Sequence, residues 1–168
     1  APYKVLDEKL GYTPENIRKE ALAFLKTGHN SYSPTNMEAM IGLASDHAGF
    51  ELKQYVKQYL EEQGITYKDY GTYTAESCDY PDFAHALAKG METGEVERGI
   101  AICGSGEGIS MTLNKHQHIR AALVWVPEIA KMTRMHNDAN VLVMPGRYIS
   151  CDTAREIMNQ FLNTPFEG

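Results

Sequence analysis

The sequence predicts an α/β protein: a Rossmann-like three-layer sandwich with a five-stranded parallel sheet, plus an N-terminal helical extension. Short apolar runs alternate along the chain with longer segments of helical periodicity. This alternation is typical of parallel strands joined by helices that cover both faces of a sheet. With 168 residues, of which 43% are hydrophobic and 23% charged, the chain has the size and composition of one globular domain with a short appendage.

Five short apolar runs are the predicted strands. The first, from Met40 to Ala44, contains no charged residue, as expected of a strand that is buried on both faces. In chain order the predicted strands cover residues 40–44, 65–70, 99–102, 119–126 and 140–144.

The predicted helices lie between these strands and after the last one. Gly64 ends the first helix, Pro81 lies near the start of the second, and a glycine-rich loop precedes the third. In chain order the predicted helices cover residues 49–63, 79–91, 105–114, 127–136 and 153–162.

Residues 1–38 have a different pattern and are predicted to be an extension of the domain at 39–168. Thr13 is a helix N-cap, Pro14 suits the first helical position, and Gly28 ends the helix. One face of this amphipathic helix is apolar, and residues 29–36 form a polar linker. Because so short a segment does not fold alone, its apolar face must pack on the main domain or on a partner subunit.

Charge and composition exclude several classes of protein. A net charge of −6 without a cluster of Lys or Arg argues against a nucleic-acid partner. No apolar run approaches the ~18 residues that a membrane span needs, and no secretory signal begins the sequence. The cysteines are odd in number and widely spaced, which favours reduced thiols and a cytoplasmic location. They are Cys78, Cys103 and Cys151.

Cys103 comes directly after the third predicted strand, and a loop with glycine at every second position follows it. Gly104, Gly106 and Gly108 allow several backbone N–H groups to converge on an anion or a developing oxyanion. Converging N–H groups also favour the thiolate form of a cysteine at their edge. This arrangement predicts chemistry on a small anionic or carbonyl substrate.

Three further polar clusters are predicted to share a crevice with this loop. Asp46 and His47 follow the first strand, Arg147 follows the fifth, and His136 with Asn137 ends a helix. In open parallel sheets, ligands bind beyond the carboxyl ends of the strands. We therefore expect the four clusters to form one site.

Several motifs of the chain, in the same order and spacing, resemble those of the type B ribose-5-phosphate isomerases. That family also includes the two subunits of galactose-6-phosphate isomerase. The resemblance covers about residues 39–167 and leaves residues 1–38 outside it. The motifs that carry it are Ser45–Phe50, Asp79–Pro81, Ile102–Ser110, Asn114–Lys115, Ile119–Ala121 and His136–Leu142.

The resemblance implies an aldose–ketose isomerase that acts on a sugar phosphate by ring opening and a cis-enediolate, without a metal or an organic cofactor. It implies that Cys103 moves the proton between adjacent carbons, and that the hydroxyl of Ser105 stabilises the enediolate oxygen. The alternatives are a buried structural cysteine at Cys103 and a helix cap at Ser105. Glu107 matches the family poorly and is interpreted as an acidic residue in the first turn of a helix.

The resemblance also assigns the other polar residues. Asp46 contacts the ring oxygen or hydroxyls of the sugar, and His47 lies near the phosphate or a hydroxyl. His136 opens the ring in the active site of the neighbouring subunit, Asn137 contacts the ligand, and Arg147 binds phosphate. A homodimer or tetramer with active sites at the subunit interface follows from this assignment.

The remaining expectations concern the pocket and its surroundings. Gly104, Gly106 and Gly108 bind substrate through their N–H groups, and Tyr73 is an aromatic residue that lines the sugar pocket. His116 and His118 flank a turn, and two histidines make only a weak metal site, so no metal is assigned.

The substrate stays open at this point. Chains of the family usually continue into a basic tail that reaches the substrate phosphate, whereas this sequence stops at Gly168. Other pentose, hexose or tetrose phosphates are alternatives, and so is a sugar without phosphate. Two further alternatives are a nucleotide-binding module, although the loop lacks the G-x-G-x-x-G spacing, and a non-catalytic subunit that depends on a partner chain.

Overall fold

The computed structural model describes residues 40–168, and every structural statement below refers to them. The predicted helix at 13–28 and the linker at 29–36 lie outside the described residues. None of the helices between residues 40 and 168 has the length and apolar character needed to cross a membrane.

Five parallel strands form one sheet, which confirms the predicted fold class. The order across the sheet is β2-β1-β3-β5-β4, and every neighbouring pair is parallel. The strands are Ile41–Ser45 (β1), Tyr67–Asp69 (β2), Arg98–Cys103 (β3), Ala121–Leu123 (β4) and Val141–Pro145 (β5).

Five α-helices cover the two faces of the sheet, and a 3-10 helix at His47–Gly49 precedes the first. They are Phe50–Glu62 (α1), Tyr80–Glu92 (α2), Glu107–Leu113 (α3), Pro127–Asn137 (α4) and Cys151–Asn163 (α5). Side chains of α1, α4 and α5 form a hydrophobic cluster on one face, and those of α2 and α3 form a second cluster on the other. The three-layer sandwich is therefore confirmed.

The central strands β1, β3 and β5 are buried along almost their whole length, as their uninterrupted apolar sequences predict. The strands β2 and β4 are only three residues long, shorter than the predicted runs at 65–70 and 119–126. Both lie at an edge and pair on one side only. Beyond these short strands the chain keeps single backbone hydrogen bonds to its neighbours, from Tyr70 to Leu43 (2.8 Å) and from Val124 to Val143 (2.9 Å).

The last helix begins at Cys151, two residues before the predicted start. The hydroxyl of Ser150 accepts a hydrogen bond of 3.1 Å from the backbone N–H of Thr153 and caps the helix. Ser150 precedes the apolar periodicity of this helix, and as an N-cap residue it could have predicted the start at Cys151.

A buried arginine fixes the carboxyl end of α4. Arg134 is 4% exposed, and its guanidinium donates to the carbonyls of Ala139 (2.5 Å) and Thr164 (3.3 Å) and to Asp138 Oδ1 (2.8 Å). It also lies 5.8 Å from the centre of the Phe161 ring. One side chain thus joins the end of α4 to the strand that follows it and to the end of α5.

Replacing Arg134 with methionine should keep the apolar contact and remove every donor. The carbonyls of Ala139 and Thr164 would then be buried without partners, so we expect a loss of about 2–4 kcal/mol in the free energy of unfolding. Denaturant unfolding measures it. Arg155→Met is the control, because Arg155 pairs with Glu62 on the exposed surface and should matter little. Equal losses in both variants would contradict the role assigned to Arg134.

Candidate functional site

The carboxyl ends of β1, β3 and β5 meet at one edge of the sheet, and backbone hydrogen bonds join the loops that leave them. The N–H of Asp46 donates to the carbonyl of Ile102 at 3.3 Å. The N–H of Gly146 donates to the carbonyl of Cys103 at 2.9 Å, and that of Arg147 to the carbonyl of Gly104 at 3.1 Å. Three of the four predicted polar clusters are therefore together.

The carboxylate of Asp46 has a defined structural task at this edge. Its Oδ1 accepts from the N–H of Gly49 at 3.0 Å and caps the short 3-10 helix, and the residue is 7% exposed. The cap holds the chain reversal after β1 and fixes the position of His47 next to it.

His47 is anchored to the segment that precedes α2. Its Nδ1 lies 3.2 Å from the backbone nitrogen of Cys78 and 3.1 Å from the backbone oxygen of the same residue. Either tautomer of the imidazole therefore has a backbone partner at this atom. Sequence reasoning had not connected Cys78 with this site.

Cys103 is the last residue of β3 and is 4% exposed. Its side chain belongs to the hydrophobic cluster on the face of α2 and α3. Within the described part of one chain, the thiol is therefore close to the polar loops but mostly covered.

The glycine loop turns sharply between Cys103 and α3. Gly106 has a φ of +79°, and a Cβ there would collide with the side chain of Leu123, so glycine is required. The hydroxyl of Ser105 accepts from the N–H of Glu107 at 3.3 Å. Ser105 thus contributes a hydrogen bond to the first turn of α3. Glu107 is exposed in that turn, as its interpretation as a first-turn acid requires.

Tyr80 is a neighbour of this loop that the sequence interpretation did not assign. A Cβ on Gly108 would overlap the Tyr80 ring, so the absence of a side chain at Gly108 lets the ring lie against α3. Tyr80 belongs to the Asp79–Pro81 motif, so the sequence did single out this residue without giving it a role. Only the packing of α2 on α3 shows which residues that motif contacts.

Arg147 is exposed, and its side chain passes beside the glycine loop. A Cβ on Gly104 would lie 3.5 Å from Arg147 Cδ and 3.6 Å from Ala48 Cβ. The guanidinium stem is therefore next to the loop, with a charge available to an anionic ligand.

A buried lysine holds the loop after β2 against β1. Lys53, on α1, is 1% exposed, and its Nζ donates to Asp69 Oδ1 (2.7 Å) and to the carbonyl of Thr72 (2.5 Å). The backbone of Thr72 also donates to the carbonyl of Ser45 at 2.8 Å. The loop is thus attached to the residue that immediately precedes Asp46.

The charges of this cluster compensate one another. Burial lowers the pKa of Lys53, while the hydrogen bond and the charge of Asp69 act in the opposite direction. Burial by itself would raise the pKa of Asp69, but hydrogen bonds from Lys53, Lys57 and the N–H of Gly71 outweigh it and hold that pKa below its usual value. Asp69 is therefore an ionised carboxylate between two lysines.

Tyr73 lies over this cluster. Its ring centre is 5.7 Å from Lys53 Nζ, and its hydroxyl donates to the carbonyl of Asp69 at 3.1 Å. The residue is 68% exposed. Contact of Tyr73 with a sugar stays a prediction.

His136 and Asn137 are not at this edge, so the expectation of a single crevice for all four clusters is wrong within one chain. The helix α4 runs antiparallel to the strands, and its last turn therefore lies at their amino ends. The backbone carbonyl of Asn137 accepts a hydrogen bond from Nε of Arg120 at 2.6 Å, and Arg120 immediately precedes β4. Asn137 lines a cavity of about 320 Å³ at that edge.

The fold and these positions define an α/β protein whose candidate ligand groups lie beyond the carboxyl ends of a parallel sheet. The family model described as Ribose/Galactose Isomerase matches residues 41–168. The chain belongs to this family of isomerases, and it is an enzyme.

Individual relatives agree with this assignment. The chain is 40% identical over 128 residues to ribose-5-phosphate isomerase B of Escherichia coli, with 76% of this chain and 86% of the relative covered. It is 36% identical over 129 residues to D-erythrulose-4-phosphate isomerase of Pectobacterium atrosepticum, with 76% and 85% covered.

Solved structures are similar over the same region. A ribose 5-phosphate isomerase of Thermotoga maritima superimposes with a TM-score of 0.76 at 48% identity, with 77% of this chain and 90% of that chain covered. The type B ribose 5-phosphate isomerase of Trypanosoma brucei gives 0.75 at 38% identity, with 79% and 90% covered.

Replacing Lys53 with methionine should loosen the loop after β2, because the carbonyl of Thr72 loses its lysine donor and Asp69 Oδ1 keeps only the N–H of Gly71. We expect faster hydrogen exchange in peptides that span residues 70–78, measured by mass spectrometry. Lys57→Met is the matched control, since Lys57 also pairs with Asp69 but is partly exposed. Unchanged exchange in Lys53→Met, or the same increase in both variants, would contradict the anchoring role.

Proposed function

We propose that the protein is an aldose–ketose isomerase of a phosphorylated sugar, with ribose 5-phosphate as the first candidate and a tetrose phosphate as the second. The names of the relatives support these two substrates. The observation that carries the proposal is the junction of Cys103 with the glycine loop, beside Asp46 and Arg147.

In the proposed reaction the sugar ring first opens. The thiolate of Cys103 then removes the proton from the carbon next to the carbonyl. An S–H bond forms, a C–H bond breaks, and its electron pair forms the carbon–carbon double bond of a cis-enediolate. Return of the proton to the neighbouring carbon, with movement of a hydroxyl proton between the two oxygens, completes the isomerisation. One carbon is reduced as its neighbour is oxidised within the same molecule, so the proposal assigns no redox cofactor. The proton held as S–H can exchange with solvent before it returns to the substrate.

The loop after β3 supplies the groups that stabilise the enediolate. Ser105 and the N–H groups of Gly104, Gly106 and Gly108 are proposed donors to the developing oxyanion. One well-placed donor of this kind is worth about 3–4 kcal/mol of barrier. In the structure the hydroxyl oxygen of Ser105 accepts a hydrogen bond from the N–H of Glu107. The hydroxyl proton of Ser105 is therefore still available for donation to the substrate.

Arg147 and His47 are the proposed contacts to the phosphate end of the substrate, and Asp46 is the proposed contact to the ring oxygen or hydroxyls. A guanidinium matches the geometry of phosphate oxygens. The exposure of Arg147 supports this role, because the charge is not neutralised by a carboxylate within the described residues.

We further propose that a second copy of the chain completes each site. His136 and Asn137 are too far along the sheet to reach Cys103 of the same chain, since β5 alone separates the two edges by roughly 13 Å. The first half of α4 and its surroundings expose several large apolar side chains that a partner could cover. They are Trp125, Val126, Ile129, Met132 and Tyr148.

The role of Cys103 is tested by exchange of the substrate proton. The wild type is first assayed on ribose 5-phosphate, tetrose and hexose phosphates and free ribose, to find the substrate. With that substrate in D₂O, Cys103→Ala should lower turnover and deuterium incorporation next to the carbonyl by roughly 10²–10⁴-fold. Substrate affinity should change little, because the proposed contacts to the hydroxyls and the phosphate of the substrate come from other residues.

Cys151→Ser is the control, because Cys151 is exposed at the start of α5 and has no role in the proposed reaction. Full exchange in Cys103→Ala would remove the thiol from the reaction. A wild type that turns over none of the panel would reject the proposed substrate class and favour a chain that depends on another partner. Preference for free ribose would reject the phosphate contact.

Complementation tests whether two chains build each site. Cys103→Ala and His136→Ala should each be nearly inactive. After unfolding and refolding as an equimolar mixture, half of the dimers carry one intact site of two, so about a quarter of wild-type activity should return. No recovery, in mixtures shown to contain heterodimers, would place both residues of a site in one chain or remove His136 from the reaction.

A further inference from the structure

Two histidines from separate segments meet on the outer surface of the α2–α3 layer. His85 lies on α2, and His116 lies in the turn between α3 and β4. His85 Nδ1 and His116 Nε2 are 2.8 Å apart, and the ring centres are 5.1 Å apart at an interplanar angle of 66°. The proposed isomerase reaction uses neither residue.

A third imidazole lies beside this pair. The ring centre of His118 is 6.5 Å from that of His116. Its Nε2 lies 3.3 Å from the carbonyl of Ala88, so in the tautomer that donates this hydrogen bond Nδ1 is a free acceptor. In the sequence, only His116 and His118 are neighbours, and two histidines by themselves make a weak metal site. The packing of α2 on α3 adds His85, which is 31 residues distant from His116.

The separation of the two nitrogens fits chelation of one ion. Imidazole nitrogens bind Zn²⁺ at about 2.0–2.1 Å, which puts two ligands about 3.3 Å apart in a tetrahedral site and about 2.9 Å apart in cis positions of a square plane. The observed 2.8 Å differs from these values by only a few tenths of an ångström. At this distance the two rings share a hydrogen bond. To chelate an ion, the donor ring takes its other tautomer and both rings turn by roughly 35–45°, so that the two lone pairs meet at one point.

One carboxylate lies close to the histidines, and Lys89 offsets part of its charge at 3.1 Å. Glu92 lies close enough to interact with both His116 and His118. Its pKa is lowered, first by the hydrogen bond from Lys89 and also by these histidines, so it is ionised.

We propose that His85 and His116 form a binding site for a divalent transition-metal ion of the Zn²⁺, Ni²⁺ and Cu²⁺ class. Between residues 40 and 168, no group of three or more His, Cys, Asp or Glu side chains surrounds a common metal position. The site therefore has two protein ligands, and water completes the coordination. A bound ion links α2 to the turn after α3 and stabilises the folded chain.

Calorimetric titration of the full chain with Ni²⁺ alone tests this site, using protein without an affinity tag and freed of metal with a chelator. The wild type should bind one Ni²⁺ per chain at the pair. His85→Gln and His116→Gln should each weaken that binding by roughly 10- to 100-fold. The increase in melting temperature that Ni²⁺ causes in the wild type should disappear in both variants.

Two controls separate this site from other metal-binding groups. His29→Gln removes the histidine of the N-terminal extension, and Cys151→Ser removes the exposed thiol, and neither should change the affinity. Absence of saturable binding below about 1 mM Ni²⁺ would overturn the proposal. So would equal affinity in the wild type and the His85→Gln variant. Isomerase activity is not part of the readout, so the result is independent of the proposed function.

Discussion

The site depends on one constraint: the loops that leave β1, β3 and β5 must pack against one another at the same edge of the sheet. The backbone bonds from Asp46 to Ile102, from Gly146 to Cys103 and from Arg147 to Gly104 satisfy polar groups that the ends of the ladders would leave unpaired. They also fix the polar residues without using their side chains. The exposed side chain of Arg147 therefore stays available to a ligand, while Asp46 and His47 also make hydrogen bonds within the chain.

A second consequence of the fold concerns what a single chain can assemble. Each crossover helix returns antiparallel to the strands, so residues at helix ends lie opposite residues at strand ends. His136 is fixed at the amino edge by the same geometry that fixes Cys103 at the carboxyl edge, and Arg134 makes that position rigid. The proposed reaction uses both Cys103 and His136, and it therefore requires these residues to come from two different chains.

Buried charge has a structural use next to the site. Lys53 is covered because Asp69 and the carbonyl of Thr72 replace the water that the ammonium would otherwise bind. The cluster joins α1, β2 and the loop that carries Tyr73 and Cys78. The same loop contacts His47 through the backbone of Cys78, so a buried charged group supports the position of a candidate site residue.

The sequence by itself determined the fold class, the central strands and the residues beside the glycine loop, because apolar periodicity, glycine spacing and helix caps act over a few residues. It could not determine the length of the edge strands, since pairing on one side only is a property of the whole sheet. It also could not show that Lys53 binds the loop at Thr72, that Tyr80 covers Gly108, or that His85 meets His116. Those contacts join segments tens of residues apart, and only the packing of the layers decides which of them touch.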